Sequence, residues 1–331
     1  TQMPTSIPSS TTSLRRRSSA AAPLAACLPA AAMAADWKPD HPVSLVVPYS
    51  PGGGTDAQAR VLAKALQQRW GQPVIVENLP GADGLIGTRK VVDAKPNGLT
   101  LLVQLPSLTL IKHLPTFKGI DPVAQLAPVS AFSAMPGVVT ANAALPVQSM
   151  AQLVRHCQHA ATPCSVGTTE NMARLQARIL GEESALPTLV VANYKGGGQM
   201  ITDLVAHNIS FAIAGSTAVM PFVKTGALRV VMTMGDKRSA MLPDVPSAIE
   251  AGFPSFDATT WYGLFAPRAT PDEVRQGIAS AVREAVKGQE VRKSFSTLGA
   301  EPLGNTPAEF EAMVQRDARR TEAQVKRFPL E

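Results

Sequence analysis

The stretch VSLVVPYSPGGGTDAQARVLAKAL, Val43 to Leu66, decides how this chain is read. Its first five residues form a short apolar run ended by proline, which predicts a strand over Val43–Val47. From Thr55 onward Val61, Leu62, Ala65 and Leu66 recur at helical spacing, which predicts a helix over 55–70 with Thr55 as its N-cap and Gly71 as its stop. Three consecutive glycines lie between, with no catalytic-looking side chain beside them. A strand followed by bare backbone and a helix start presents unpaired N–H groups and partial positive potential, which suits an anion.

The same plan recurs outward from this point. Val74–Glu77 reads as a strand, PGADGLIG (Pro80 to Gly87) turns into a helix that KPNG ends, and Leu99–Val103 gives a third strand. The pattern pauses over 105–140. It resumes with a helix capped by Ser149, then with VGTTEN at 166–171, YKGGGQ at 194–199 and FAIAGS at 211–216, each placing small or polar residues between a strand and a helix. After the strand LRVVMTM, a proline-punctuated connection over 241–257 leads to ATTWYGLFAP, and 271–328 is mostly helical with no sheet of its own. Two successive α/β units are expected, and ligands of such sheets collect at the carboxyl ends of the strands.

The first residues read differently. Arg15, Arg16 and Arg17 precede an Ala/Leu-rich stretch and a small-x-small site, which predicts an export signal over 1–34, with lipidation at Cys27 (in LAAC) and twin-arginine export as alternatives. Without those three arginines the net charge falls from +6 to +3, too mild to argue for nucleic acid. No later segment approaches the roughly 20 apolar residues of a membrane span. Cys157 and Cys164 can form a disulfide in an oxidising compartment. A metal site with His156 and His159 is the other reading, disfavoured because His156, Cys157 and His159 spread around a helix.

A nucleotide is the first anion to weigh. Gly52-Gly53-Gly54-Thr55-Asp56-Ala57 fits G-x-G-x-x-A, and Glu77 stands where a ribose-binding acid belongs, so an exported NAD(P)-binding oxidoreductase is the alternative function. Asp56, in the first helical turn, would repel a pyrophosphate. Nucleophilic catalysis has less support, because there is no G-x-S-x-G and the five histidines lie away from the glycine turns. Binding without chemistry, with no cofactor and no metal, is the more economical expectation.

The segments VSLVVPYSPGGGTDAQARVLAKAL, WGQPVIVENLPGADGLIG, KPNGLTLLV, ANYKGGGQMITDLV, MLPDVPSAIEAGFPSF and WYGLFAPRATP resemble, in order, the motifs of the Bug-type (TctC-like) extracytoplasmic solute receptors, the substrate-binding subunits of tripartite tricarboxylate transporters. The resemblance runs from about Pro42 to the carboxy terminus. It implies an α/β, two-lobed type II periplasmic-binding-protein fold, with lobe 1 over 36–134 and 261–331, lobe 2 over 135–260, and the helical tail packed on lobe 1. Crossover strands are expected around APVSAFSAMPGVV and TTWYGLF. It further implies a periplasmic monomer that captures a small carboxylate and presents it to the transporter's membrane subunits or to a sensor protein.

Carried over by position, the resemblance places the carboxylate at Tyr49, Ser50, Pro51, Gly52, Gly53, Thr55 and Asp56, with Gly81, Ala82, Asp83 and Gly84. Asp56 is expected to order its turn rather than touch the anion. Thr168, Thr169, Glu170, Lys195 and Ser216 are the candidates for the distal end, while Trp261 and Tyr262 are expected to brace the crossover. The chain departs from the pattern at Asp83, where a small residue is usual, and at VGTTENMARL, where a Gly/Ser-rich loop leading to His-Leu is usual. An acid is common in the family where Ala214 stands, and its absence favours a plain carboxylic acid over an amino acid.

Overall fold

A computed structural model describes residues 37–114, 121–194, 196–256 and 259–330. The expected leader, with Cys27, and Lys195 lie outside the described residues. In chain order the strands are β1 (Val43–Val47), β2 (Val74–Asn78), β3 (Thr100–Gln104), β4 (Leu126–Met135), β5 (Gly137–Asn142), β6 (Ser165–Thr168), β7 (Val190–Asn193), β8 (Phe211–Gly215), β9 (Leu228–Thr233), β10 (Thr260–Pro267) and β11 (Glu301–Pro302). The helices are α1 (Gly54–Trp70), α2 (Leu85–Val92), α3 (Pro122–Gln125), α4 (Met150–His159), α5 (Asn171–Glu183), α6 (Gly197–Val205), α7 (Ser216–Lys224), α8 (Asp272–Lys287), α9 (Gln289–Thr297) and α10 (Pro307–Arg327).

Alternation along β1 sends Val43, Leu45 and Val47 into one core layer, with Leu62 and Leu66 of α1, and Val46 into another with Leu102 of β3. Both faces are therefore covered. β1 pairs in parallel with β2 and β3, and the order β11-β4-β10-β3-β1-β2 completes a first sheet. A second sheet has the order β7-β6-β8-β5-β9, with β6 parallel to β7 and β8.

The chain passes from one sheet to the other with only Pro136 between β4 and β5, and it returns through β10, which runs antiparallel to β3 and β4. β4 and most of β5 fall in the interval where the sequence pattern pauses. β4 is buried at nine of its ten positions and carries small residues, so it lacks the apolar/polar alternation that marks a half-exposed strand.

The tail docks on the first sheet. Phe310 of α10 packs edge-on against Trp261 and tilted against Phe265, at centroid distances of 5.0 and 5.1 Å. This approach requires glycine at 263, where an added Cβ would stand 2.1 Å from the Phe310 ring. Trp261 Nε1 donates to Asp317 Oδ2 at 2.6 Å, fixing the crossover strand to the same helix.

Two local readings are settled here. The cap of α1 is Gly53 and not Thr55, which lies inside the first turn and is buried, so no side chain caps the helix. Ser149 does cap α4, accepting from Gln152 N–H. Cys157 and Cys164 are joined as a disulfide that ties the end of α4 to the start of β6. Reduction, or the Cys157→Ser/Cys164→Ser double variant, is expected to cost about 2 kcal/mol from lost loop closure. Thiol titration before and after unfolding, with thermal melts in both redox states, checks this.

Candidate functional site

β1 ends at Val47, and the chain turns through Pro48–Gly53 before α1 begins. Asp56 organises that turn. Its buried carboxylate accepts Gly52 N–H at 2.9 Å, Arg60 Nε at 3.0 Å and Asn78 Nδ2 at 3.1 Å. Burial pushes its carboxyl up, but the hydrogen bonds from Arg60, Gly52 and Asn78 outweigh burial and hold it below its ordinary value. Asn78, at the end of β2, also donates to the Tyr49 carbonyl at 3.1 Å. The Tyr49 hydroxyl donates to Gln104 Oε1, at the end of β3, at 2.7 Å and shares a 2.9 Å bond with Ser107. The carboxyl ends of three strands are thereby tied into one network.

The second turn lies beside the first. Gly81, Ala82, Asp83 and Gly84 have φ of 128°, 47°, 52° and 88°, an unbroken left-handed run that is unfavourable at the two non-glycine positions. Gly84 and Gly87 sit against Pro48, which packs one turn on the other. Gln104 is fully buried, and its Nε2 has no partner while pointing toward Gly84.

A cavity of about 80 Å³ lies between the two sheets. Ser107, Thr260 and Thr321 reach it from the first side, and Thr169, Glu170 and Ala214 from the second. A smaller recess of about 40 Å³ joins Tyr49, Asp83 and Ser107 to Glu170. Glu170 lines both spaces and is exposed to them, and the loss of water to the surrounding protein pushes its carboxyl up to about 7. Burial, and then the Glu170 charge, also push the phenols of Tyr49 and Tyr262 upward.

Tyr49, Asp83, Thr169 and Glu170 are thus brought together. Ser50, Pro51, Gly52, Gly53, Gly81 and Ala82 are exposed turn residues outside both cavities, and Thr55 and Gly84 are buried beneath them. Thr168 is fully buried below the cavity floor. Ser216 is buried as well, with its hydroxyl donated to the Gly299 carbonyl at 3.2 Å, so its side chain does not reach the cavity. Tyr194 is occupied by Asp203 at 2.8 Å.

Gln104, Ser107 and Thr260 escaped the sequence reading. For Gln104 a signal existed: an uncharged polar residue closing the apolar run TLLVQ. Tyr262 was expected to brace the crossover, with lining the cleft as the alternative, and its hydroxyl lies 3.6 Å from the position of a Cβ on Gly54.

The dinucleotide arrangement is poorly served. Glu77 is held by Lys90 at 2.5 Å and by Ser44 at 3.2 Å, and the Gly52 amide is already taken by Asp56. Among the described residues no group of three metal-ligating side chains occurs. None of their helices is long and apolar enough to cross a membrane.

The model of the tripartite tricarboxylate transporter family receptor (TctC) matches residues 58–330. Protein BugT of Bordetella pertussis is 33% identical over 296 residues, covering 88% of this chain and 90% of that protein. The structure of the periplasmic binding protein BugD superposes with a TM-score of 0.75 at 26% identity, covering 87% of this chain and 98% of that one. The R. palustris protein Rpa4515, solved with adipate, superposes with a TM-score of 0.77 at 26% identity, covering 87% and 97%.

Replacing Asp56 with Ala leaves Gly52 N–H, Arg60 and Asn78 without their acceptor, and is expected to cost about 2 kcal/mol near neutral pH. Because the folded carboxyl titrates below its ordinary value of 3.8, the wild-type advantage is present above that value. It is lost as the pH falls through the depressed folded value. Denaturant melts of both proteins across the acid range check this.

Proposed function

Since the chain belongs to the tripartite tricarboxylate transporter receptor family, with the two-lobed α/β fold of periplasmic binding proteins, we propose that it captures a small carboxylate between its lobes and releases it to a membrane partner without chemical change. The observation that carries this reading is the open α1 start: a helix with no side-chain cap, beside a second exposed turn, at the carboxyl ends of β1 and β2. Helix-start amides favour negative charge, and enclosure between lobes strengthens each charge-assisted bond by removing water.

The ligand carboxylate would rest on the turns at Tyr49–Asp56 and Gly81–Gly84, with Asp56 holding the first turn in shape. Thr169 and Glu170 would meet its distal end. Lobe 1 would comprise 36–134 and 261–331, and lobe 2 135–260, with β4–β5 and β10 as the crossings about which they close. The partner would be the membrane subunits of a tripartite tricarboxylate transporter or a sensor protein, and the site of action the periplasm after removal of 1–34. The adipate bound by Rpa4515 supports an organic acid as the class of ligand.

A ligand that binds only the folded state raises stability by about 2.7 kcal/mol at a hundred times its Kd. Ligand-stripped protein is therefore expected to show a clear Tm rise with at least one member of a panel of aliphatic, aromatic and amino carboxylates. A flat response across the panel, together with turnover of NAD(P), would overturn the reading.

A further inference from the structure

Ser107 lines both the larger cavity and the smaller recess, and it is half-buried there. Its hydroxyl shares a 2.9 Å bond with the Tyr49 hydroxyl, in which either oxygen could donate. The neighbouring bonds decide which one does. The Leu105 N–H can only donate, so the atom of the Gln104 amide that meets it at 2.8 Å is the oxygen, Oε1. Turning the amide over would set two N–H groups against each other inside a fully buried residue. The same Oε1 stands 2.7 Å from the Tyr49 hydroxyl and has no proton to give. The phenol is protonated near neutral pH, and its single proton goes to Gln104. Ser107 is therefore the donor to Tyr49, because otherwise two bare lone pairs would face each other.

A second chain of hydroxyls runs the same way. Thr109 donates to the Pro106 carbonyl at 2.8 Å, so in its 2.8 Å bond with Thr321 the proton comes from Thr321, another residue that lines the larger cavity. In both chains the protons point into the wall formed by the first sheet's segments. What Ser107 has left for the cavity is its lone pairs.

We propose that Ser107 is a specificity-determining residue of the inter-lobe site, acting there as a hydrogen-bond acceptor and selecting an acid that carries a hydroxyl over the same acid without it. This rests on the carboxylate-receptor reading above. A ligand hydroxyl donates to Ser107 and leaves the chain intact. A carboxylate oxygen in the same place takes the serine proton only by breaking the bond to Tyr49, and a bare methylene leaves the serine lone pairs without a partner. Tyr49 and Gln104 are positioning residues, because they fix which way the serine proton points. Ser107 adjoins Tyr49, whose turn would receive the carboxylate, so the selected hydroxyl lies close to that carboxylate, on the second or third carbon.

Titration calorimetry on the ligand-stripped protein would compare succinate, glutarate, adipate and phenylacetate with malate, 2-hydroxyglutarate, 2-hydroxyadipate and mandelate, each hydroxy acid as separate enantiomers. In at least one pair, one enantiomer of the hydroxy acid is expected to bind about fivefold tighter or more than the parent acid. Ser107→Ala should abolish that preference and Ser107→Thr should keep it. Tyr49→Phe leaves the serine in place but frees its proton to meet the ligand, and should bring the two members of the pair to near-equal affinity. A merely structural role for these side chains would weaken both members alike and leave their ratio unchanged. Melts verify that each variant folds, and should none fold, the wild-type ratio decides. No preference for either enantiomer in any pair that binds, or an unchanged ratio in a folded Ser107→Ala or Tyr49→Phe protein, overturns the inference and leaves the receptor reading standing. If none of these acids binds but another carboxylate of the thermal panel does, the inference falls alone. If the whole panel is silent, the receptor reading falls and this inference with it.

Discussion

Three strand ends meet in one chain of hydrogen bonds that begins at the Asp56 carboxylate. Asp56 takes the Gly52 amide from its own turn and Asn78 from the end of β2, Asn78 takes the Tyr49 carbonyl, and the Tyr49 hydroxyl reaches Gln104 at the end of β3. Each link is an ordinary hydrogen bond worth about 1 kcal/mol net, somewhat more where the carboxylate takes part. Their joint effect is to hold an uncapped helix start and a left-handed turn side by side, an arrangement that local propensity alone would not keep.

Asp56 and Glu170 show how the setting decides what a carboxylate does. Asp56 is nearly inaccessible yet saturated with donors, so it stays ionised and serves the backbone around it. Glu170 is exposed to the cavity and, among the described residues, has no ion-pair partner, so the protein around it pushes its carboxyl up to about 7.

Among the described residues the segments around the two sheets meet through a shared apolar cluster, with Leu108, Leu110 and Ile111 alongside Leu175 and Ile179, and through polar bonds. Ser216 and Thr217 at the start of α7 bond to the Gly299 and Leu298 carbonyls. At the other margin, Arg327 of α10 meets Glu182 of α5, and Arg178 donates to the Pro329 carbonyl at 2.7 Å. The β4–β5 and β10 crossings, by contrast, are covalent and buried.

The local pattern around Val43–Leu66 was legible because short-range physics dictates it: an apolar run, a glycine turn and an amphipathic helix each leave their own periodicity. The strand–turn–helix order of both units and the Ser149 cap followed for the same reason. β4 was legible only through resemblance, since a strand buried on both faces has no alternation to betray it. The cap of α1 lies at Gly53, two residues before Thr55, in the turn whose Gly52 N–H Asp56 accepts. What tertiary structure alone decided is which residues at strand ends far apart in the chain share a cavity. Ser216 is turned away to Gly299, while Glu170, Ser107 and Tyr49 converge from three separate segments. That convergence depends on how two sheets face each other, a long-range constraint that no window of sequence contains.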